Sequence, residues 1–471
     1  MTRSVLALAA LVGGALAAGS ATFPVGDSDL FWHLATGRET LARGLGRADV
    51  FSWTARGVPV ATDQWLGQVI LFGAYSSGSW LGVLAVRTLA VAALVGCVAA
   101  AALVRRPGSP VIAIAIAVPA ILLSRFIWTE RPELFGIALF AALVLLLQLE
   151  GRRPLYLAAA LLIVWANVHG SFALGAVLVL LVAAHGLATP RADRRAYVLA
   201  AAGAVLSVVL TPSGIGTLAA PGLHLFDPPR QIQEWALPDP LTVPGAMWAI
   251  LLGLVVLSAC LSTPARTRDV IVLVPVALLS LLAVRHTPLF AIAATPYLVA
   301  HLPPALRVIA ARFGIAGEEA APRPRRVPAG IDVALAAAGT VLMVGAVVLG
   351  PRDPEESGFP SAALPLLPSG PGVLAQYDWG GWLIWRAPAT PVFVDGRLVP
   401  YRGAVLADYR TVVEARPGWR EVIDRRGIRW ILVRPGDPVA VRAQELGWRT
   451  HARSAGFVLI AVSESSPQSR P

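Results

Sequence analysis

The residues able to do chemistry begin in the stretch VGDSDLFWHLATGRETLARG, residues 25–44, directly after the first apolar run of the chain. Asp27 and Asp29 flank Ser28, and His33 follows Asp29 by four positions, the spacing that puts two side chains on one helix face. A carboxylate with a neighbouring imidazole can deprotonate a hydroxyl. Asp27 and Asp29 can together help to hold a divalent cation, the one cofactor this pattern offers. Capping is the competing duty, because Asp and Ser accept hydrogen bonds from the free N–H groups at a helix start. One aspartate suffices for a cap; the second is surplus.

Arginines supply the other half of a possible site. Arg87 lies a few residues inside an apolar run. A charge at mid-membrane costs roughly 2.5–3.5 kcal/mol on insertion scales, so it faces protein or a cavity, or snorkels to the headgroups. Arg125, Glu130, Arg131 and Glu133 crowd one short segment, Arg230, Glu234 and Asp239 another, and Arg285 and His286 end a third apolar run. Each cluster alone reads as surface ion pairs. Together, the guanidinium groups of Arg87, Arg125, Arg131 and Arg285 suit a phosphate or pyrophosphate gripped through paired N–H donors. Asn167 and His169 mark a helix break, where freed backbone groups need partners. With Glu234 and His286 they complete the set of candidate site residues. The sequence has no P-loop, Rossmann glycine pattern, HExxH or GxSxG, so ATP-driven transport and simple hydrolase chemistry lack support.

Composition says what must position these groups. Of 471 residues, 56% are hydrophobic and 14% charged, with a mean hydropathy of +0.67; a soluble domain carries roughly 25% charge. The chain therefore reads as a polytopic membrane protein. The net charge of +11 comes entirely from arginine. These arginines sit in short clusters between apolar runs, as in cytoplasmic loops, so no nucleic-acid partner is implied. Cys97 and Cys260 lie in apolar runs and form neither a disulfide framework nor a zinc motif.

Apolar runs occur at about 4–23, 80–104, 110–126, 133–149, 154–167, 171–189, 195–211, 244–263, 269–285, 288–305 and 331–350. With a cytoplasmic N-terminus and every run crossing, the inner loops hold Arg105 and Arg106, Arg152 and Arg153, Arg191, Arg194 and Arg195, and Arg266 and Arg268. A longer inner loop holds Arg307, Arg312, Arg323, Arg325 and Arg326. The polar clusters at 26–33, 124–133, 165–171, 230–239 and 284–288 then all face outward. The first run fits a retained helix better than a cleaved signal peptide, and both place Asp27 outside the cytoplasm.

Beyond the last run, residues 351–370 read as a Pro/Gly/Ser-rich linker and 371–464 as a small α/β domain outside the membrane. Strands are expected in GVLAQYDWGGWLIW, TPVFVDGR, IRWILV and GFVLIAV, and a helix through GAVLADYRTVVEARPGWREVIDRRG. Tyr377, Trp379, Trp382 and Trp385 would alternate along the first strand as core, and 465–471 would be a disordered tail. The expected architecture is an all-α polytopic transmembrane bundle of about 11 spans (residues 1–350, with a first outer loop at 24–79) and a small C-terminal α/β extracytoplasmic domain.

An Asp just after the first span, a short outer helix and a closing Gly resemble the GT-C glycosyltransferases. These polytopic enzymes take sugars from polyprenyl-phosphate carriers; protein mannosyltransferases, the aminoarabinose transferase of lipid A and oligosaccharyltransferase catalytic subunits are examples. In the aminoarabinose transferase type, Asp-Glu opens a helix that ends L-x-x-G. DLFWHLATGRETLARG runs from Asp29 to Gly44 in the same way, so the resemblance puts the catalytic base on Asp29. Leu30 stands where that type has its second acid, and Asp27 lies two positions earlier. The chain also looks like a bacterial polytopic membrane protein family with a D-x-D start leading into W-H-L, then W-x-N-x-H-G, E-W after a span, W-G-G-W-L-I-W and D-G-R. That likeness implies topology rather than chemistry.

The GT-C resemblance implies inverting transfer of a polyprenyl-phosphate-linked sugar to a glycan, lipid or protein acceptor outside the bacterial inner membrane. The alternative is a non-catalytic protein of the cell envelope that binds or moves lipid-linked glycans. Such a protein would carry charge along a path through the membrane, whereas the clusters here fall on one side.

Overall fold

The computed structural model describes residues 2–190, 192–219, 221–222, 233–315, 330–401 and 403–462. Arg191, Arg230, Arg323, Arg325, Arg326 and the tail 465–471 lie outside them. In chain order the helices are α1 (Arg3–Ala21), α2 (Leu30–Arg43), α3 (Trp65–Arg105), α4 (Pro110–Ser124), α5 (Pro132–Gln148), α6 (Arg152–Val168), α7 (Phe172–Ala188), α8 (Arg194–Val209), α9 (Val243–Leu261), α10 (Thr267–Ser280), α11 (Thr287–Arg312) and α12 (Ile331–Leu349). Shorter helices follow: α13 (Gly380–Arg386), α14 (Ala404–Val413), α15 (Trp419–Arg426) and α16 (Pro438–Glu445). The chain divides into two compact units, one of Met1–Phe23 with Leu84–Pro351, the other of Pro24–Val83 with Arg352–Pro471.

The first unit is helical. All eleven apolar runs lie in helices. Among the described residues six stretches, Arg3–Ala21, Trp65–Arg105, Pro110–Ile127, Val243–Leu261, Val284–Arg312 and Ile331–Leu349, are long and apolar enough to cross a membrane. Where a helix is apolar on nearly every face, composition rather than an amphipathic stripe decides its place. Thr2, Asp193 and Thr242 cap α1, α8 and α9 through their side chains, while Pro110 and Pro132 open α4 and α5, where a missing N–H costs nothing. Between apolar helices, close packing of small residues replaces the hydrophobic drive. Accordingly α1 meets α12 through Gly14 and Gly339, and a Cβ on Gly339 would stand 2.8 Å from Leu11 Cα. Phe140, Trp165, Phe172 and Phe290 are fully buried. Gly175 on α7 makes room for the Trp165 ring, 2.6 Å from where its Cβ would be.

The second unit joins α2 and the start of α3 to the C-terminal segment. A break at Gly78 and Ser79, the latter at φ 52°, interrupts α3. Strands β1 (Val373–Ala375), β2 (Trp430–Val433), β3 (Thr450–Arg453) and β4 (Val458–Ala461) form one sheet in the order β1-β2-β4-β3. β1 runs parallel to β2, with Leu374 opposite Ile431, and the other pairs are antiparallel. Phe51 and Trp53 exchange backbone hydrogen bonds with Val392 at 3.1 Å each. Ala55 enters the same core as Leu374, Phe393, Tyr401, Ile431 and Ile460. Residues some 340 positions apart in sequence thus share one hydrophobic interior.

Local expectations needed three corrections in this unit. The segment WGGWLIWR is the helix α13, not a strand. Its tryptophans at 379, 382 and 385 recur every three residues, a helical interval that the alternation of 377 and 379 disguised. TPVFVDGR makes a single bridge, Val392 to Ser52, instead of a strand. The long helix expected over 403–427 is split into α14 and α15, because Pro417 lacks an N–H and Gly418 sits at φ 84°. The strand β3 and helix α16 had no expectation attached.

Candidate functional site

Asp29 stands where α2 begins. Leu30 and Leu34 are fully buried, and Gly37 admits the backbone of Gln68 and Cβ of Phe72 where a larger residue would collide. These contacts seat α2 on the start of α3. Leu41, four residues after Gly37, is 59% exposed. The turn before the helix is made by Asp27, whose Oδ1 accepts the Asp29 N–H at 2.8 Å. Asp29 occupies the N-cap position with helical backbone angles (φ −80°, ψ −23°), and its side chain makes no capping hydrogen bond. The capping duty that competed for Asp29 is therefore not performed.

The Asp29 carboxylate instead bears on the C-terminal segment of its own unit. Its Oδ1 lies so close to Gly396 that a Cβ there would overlap it, and Trp32 Nε1 is 3.3 Å from the same point. Gly381 does likewise one layer away: its Cβ would lie 2.7 Å from Ser28 O and 3.1 Å from Trp32 Cδ1. The second glycine of W-G-G-W and the glycine of D-G-R are thus bare where they face the start of α2, while Gly380 makes room for Val394 O and Asp395. Gly396 is flanked by a buried network. Arg397 donates to Asp395 (Nε to Oδ1, 2.8 Å), pairs with Asp49, and lies 2.7 Å from Tyr401 Oη, which donates in turn to Asp395. Asp49 also accepts from Ser52 N at 3.0 Å. Burial works against the Arg397 charge, but Asp395 and Asp49 outweigh it and raise its pKa well above the ordinary value.

Three further side chains complete this site, and sequence reasoning gave two of them no role. Burial, then the charges of Asp29 and Asp395, push the Tyr377 phenol above its usual pKa, which places that ring within electrostatic reach of Asp29. Tyr377 also packs against the core of this unit, as expected. Trp32 is 9% exposed, and among the described residues its indole N–H has no hydrogen-bond partner; its place beside His33 was the only signal available. His33 is buried, and its Nδ1 lies 3.3 Å from Gln68 Nε2. An amide N–H donating there puts the proton of the neutral ring on Nε2. Farther along the outer segment, burial raises the Asp63 carboxyl to about 6.

In the helical unit, Arg87 pairs with buried Glu130 and donates to the carbonyls of Ser20 (2.8 Å) and Phe23 (2.6 Å), closing the end of α1. Three of the polar clusters meet around Arg285. Its guanidinium pairs with Glu133, lies 3.4 Å from Glu234, and sits 4.4 Å above the Trp235 ring. Arg131 and His169 act electrostatically on the same group. His286 donates from Nδ1 to Leu279 O at 3.1 Å and packs edge-on to Trp235. His169 Nδ1 accepts from Ser171 N at 3.2 Å, with Ser171 Oγ at 2.8 Å, in a turn that Gly136 accommodates. Asn167 donates to Ile163 O and Leu210 O, tying α6 to the end of α8. Arg125 begins an exposed 3-10 turn after α4. Asp27, Asp29 and His33 belong to one unit and the other candidates to the other. Among the described residues no three His, Cys, Asp or Glu side chains converge on a common point.

No protein-family model matches the sequence, and no curated protein matches it. Solved structures do match. The Archaeoglobus fulgidus oligosaccharyltransferase tethered to an acceptor peptide with the NVT sequon aligns at a TM-score of 0.55 and 12% identity, over 90% of this chain and 68% of that one. Archaeal oligosaccharyltransferase AglB from the same organism, in complex with an inhibitory peptide and a dolichol-phosphate, aligns at 0.57 and 12%, over 98% and 75%. ArnT from Cupriavidus metallidurans in the apo state aligns at 0.50 and 14%, over 96% of both chains. At such identities the likeness is one of fold: this chain is an integral membrane protein with the fold of the GT-C polyprenyl-phosphate-dependent glycosyltransferases.

Proposed function

We propose that the protein transfers a sugar from a polyprenyl-phosphate carrier to an acceptor outside the cytoplasmic membrane of a bacterium, with inversion, and that Asp29 is the general base. The observation that carries this reading is the seat of Asp29: a carboxylate at a helix start that does not cap the helix and is held against Gly396. Asp29 takes the proton of the acceptor nucleophile as that atom attacks the anomeric carbon, and the lipid phosphate leaves with the bonding electrons. Positive charge must meet the phosphate as it departs. Arg87, Arg125, Arg131 and Arg285 are the candidates for that task, and the Arg87–Glu130 and Arg285–Glu133 pairs fix two of them in the helical unit. Trp32 N–H is a ready donor to an oxygen of the acceptor, with the His33 ring beside it. The N-terminus is cytoplasmic and the C-terminal segment extracytoplasmic in this scheme, in keeping with the arginine-rich loops.

The test is turnover in proteoliposomes containing the full chain and undecaprenyl phosphate linked to radiolabelled glucose, mannose or aminoarabinose. Release of label from the lipid is expected, and Asp29→Asn should lower it by about 10²–10⁴-fold, the usual contribution of a positioned base. Donor binding that leads to no turnover, and that Asp29→Asn leaves unchanged, would instead establish the glycan-binding or transport alternative.

A further inference from the structure

We infer that the Asp395-Gly396-Arg397 turn of the C-terminal segment is the positioning element of the Asp29 carboxylate, so that the terminal segment sets the geometry of the base. The inference rests on Asp29 being the base. Three observations within the second unit carry it. First, the Asp29 side chain makes no capping hydrogen bond to α2, so the cap does not orient the carboxylate. Second, Oδ1 touches the one residue of the turn that lacks a side chain, at a distance where a methyl group cannot fit. Third, that residue cannot yield. Asp395 and Arg397 on either side of it are locked to each other, to Tyr401 and to Asp49, and Asp49 and Asp395 are fully or almost fully buried.

A close contact aims a group only when its far side is rigid. The Asp395–Arg397–Asp49 network supplies that rigidity through charge-assisted hydrogen bonds, which tolerate little displacement. It also links residues 49 and 397 of the same unit. The outer segment that bears Asp29 is therefore fixed to the turn at two places, Asp29 against Gly396 and Asp49 against Arg397. Gly381, bare beneath Ser28 O and Trp32, adds a third contact along α2. An element that presses on a carboxylate oxygen restricts which lone pairs point toward an incoming proton.

Gly396→Ala tests the assignment in the full chain. The methyl group must push Asp29 away, and displacements near 1 Å at reacting groups cost about 100-fold in rate. The expected result is a fall in kcat of that order, with the KM for the undecaprenyl-phosphate-linked sugar within about twofold of wild type and a shifted acid limb in the pH–rate profile. A second variant, Asp49→Asn, loosens the turn without adding bulk and should give a smaller fall of the same kind. Accessibility of Asp29 to carbodiimide and glycinamide, read by peptide mass spectrometry, supplies a measurement that needs no turnover. Gly396→Ala should raise the labelling rate of Asp29 several-fold while leaving Asp408 unchanged. Unaltered labelling of Asp29 in both variants would overturn the positioning role, whatever the transfer assay gives. Wild type with no donor turnover overturns the transferase reading instead, and the labelling result still decides the geometry.

Discussion

Asp27 Oδ1 accepts the backbone N–H of Asp29 at 2.8 Å, so the two aspartates of D-S-D divide their duties. The earlier one shapes the turn; the later one makes no side-chain cap to the helix it begins. Asp27→Ala should therefore cost stability, about 1 kcal/mol for a lost local side-chain to backbone bond, with a modest loss of turnover. Asp29→Asn should cost turnover and leave the apparent Tm in detergent within a degree or two. A reversed pattern would exchange their roles.

Asp63 gives the second unit an acid-side signature. Burial raises its carboxyl from 3.8 to about 6, so the folded chain binds its proton more tightly than the unfolded chain does. Its contribution to stability is complete below about pH 4 and is lost as pH rises through 6. Two pKa units correspond to at most about 3 kcal/mol. Asp63→Asn should flatten the fall in apparent Tm between pH 4 and 6.5, and an unchanged slope in the variant would rule Asp63 out as its source.

Arg285 is 16% exposed and shared between Glu133 and Glu234. Arg285→Gln leaves both acids without their main partner and should destabilise the helical unit by roughly 1–3 kcal/mol. Pairing it with Glu133→Gln should recover part of the loss, since contacting groups are not additive. Arg285→Lys keeps the charge but gives up the planar stacking on Trp235, so it should recover only part as well.

Gly14 and Gly339 let α1 and α12 touch backbone to backbone. Gly14→Leu should separate the two helices and lower the apparent Tm by more than Gly19→Leu, because Gly19 has open space around its Cα. Heating both variants in one detergent and measuring the monodisperse fraction decides between them.

What the sequence made legible was local. Apolar runs became helices because nothing in them favours another state, and 30–43 became α2 because Leu30, Leu34 and Gly37 share a face. WILV and VLIA became strands because they are short apolar runs, three of whose four residues are buried in each case. The rest depends on pairs with no local signal. Arg87 with Glu130 and Arg285 with Glu133 are separated by 43 and 152 positions. The contact between Asp49 and Arg397 spans 348, and spacing rules reach about four residues along a helix. W-G-G-W and D-G-R stood out as motifs, yet what their glycines accommodate could be read only from the fold.

The union of residues 24–83 with the terminal segment also has a consequence in time. Leu84–Pro351 is synthesised between the two halves of this unit. At roughly 5–20 residues per second, that delay lasts tens of seconds. Asp29 emerges early and waits, unseated, until Gly396 arrives. With Gly396 as the seat of Asp29, a chain cut short before that turn can enter the membrane yet has no aimed base. Activity then requires synthesis through Arg397, and copies terminated before it fail silently.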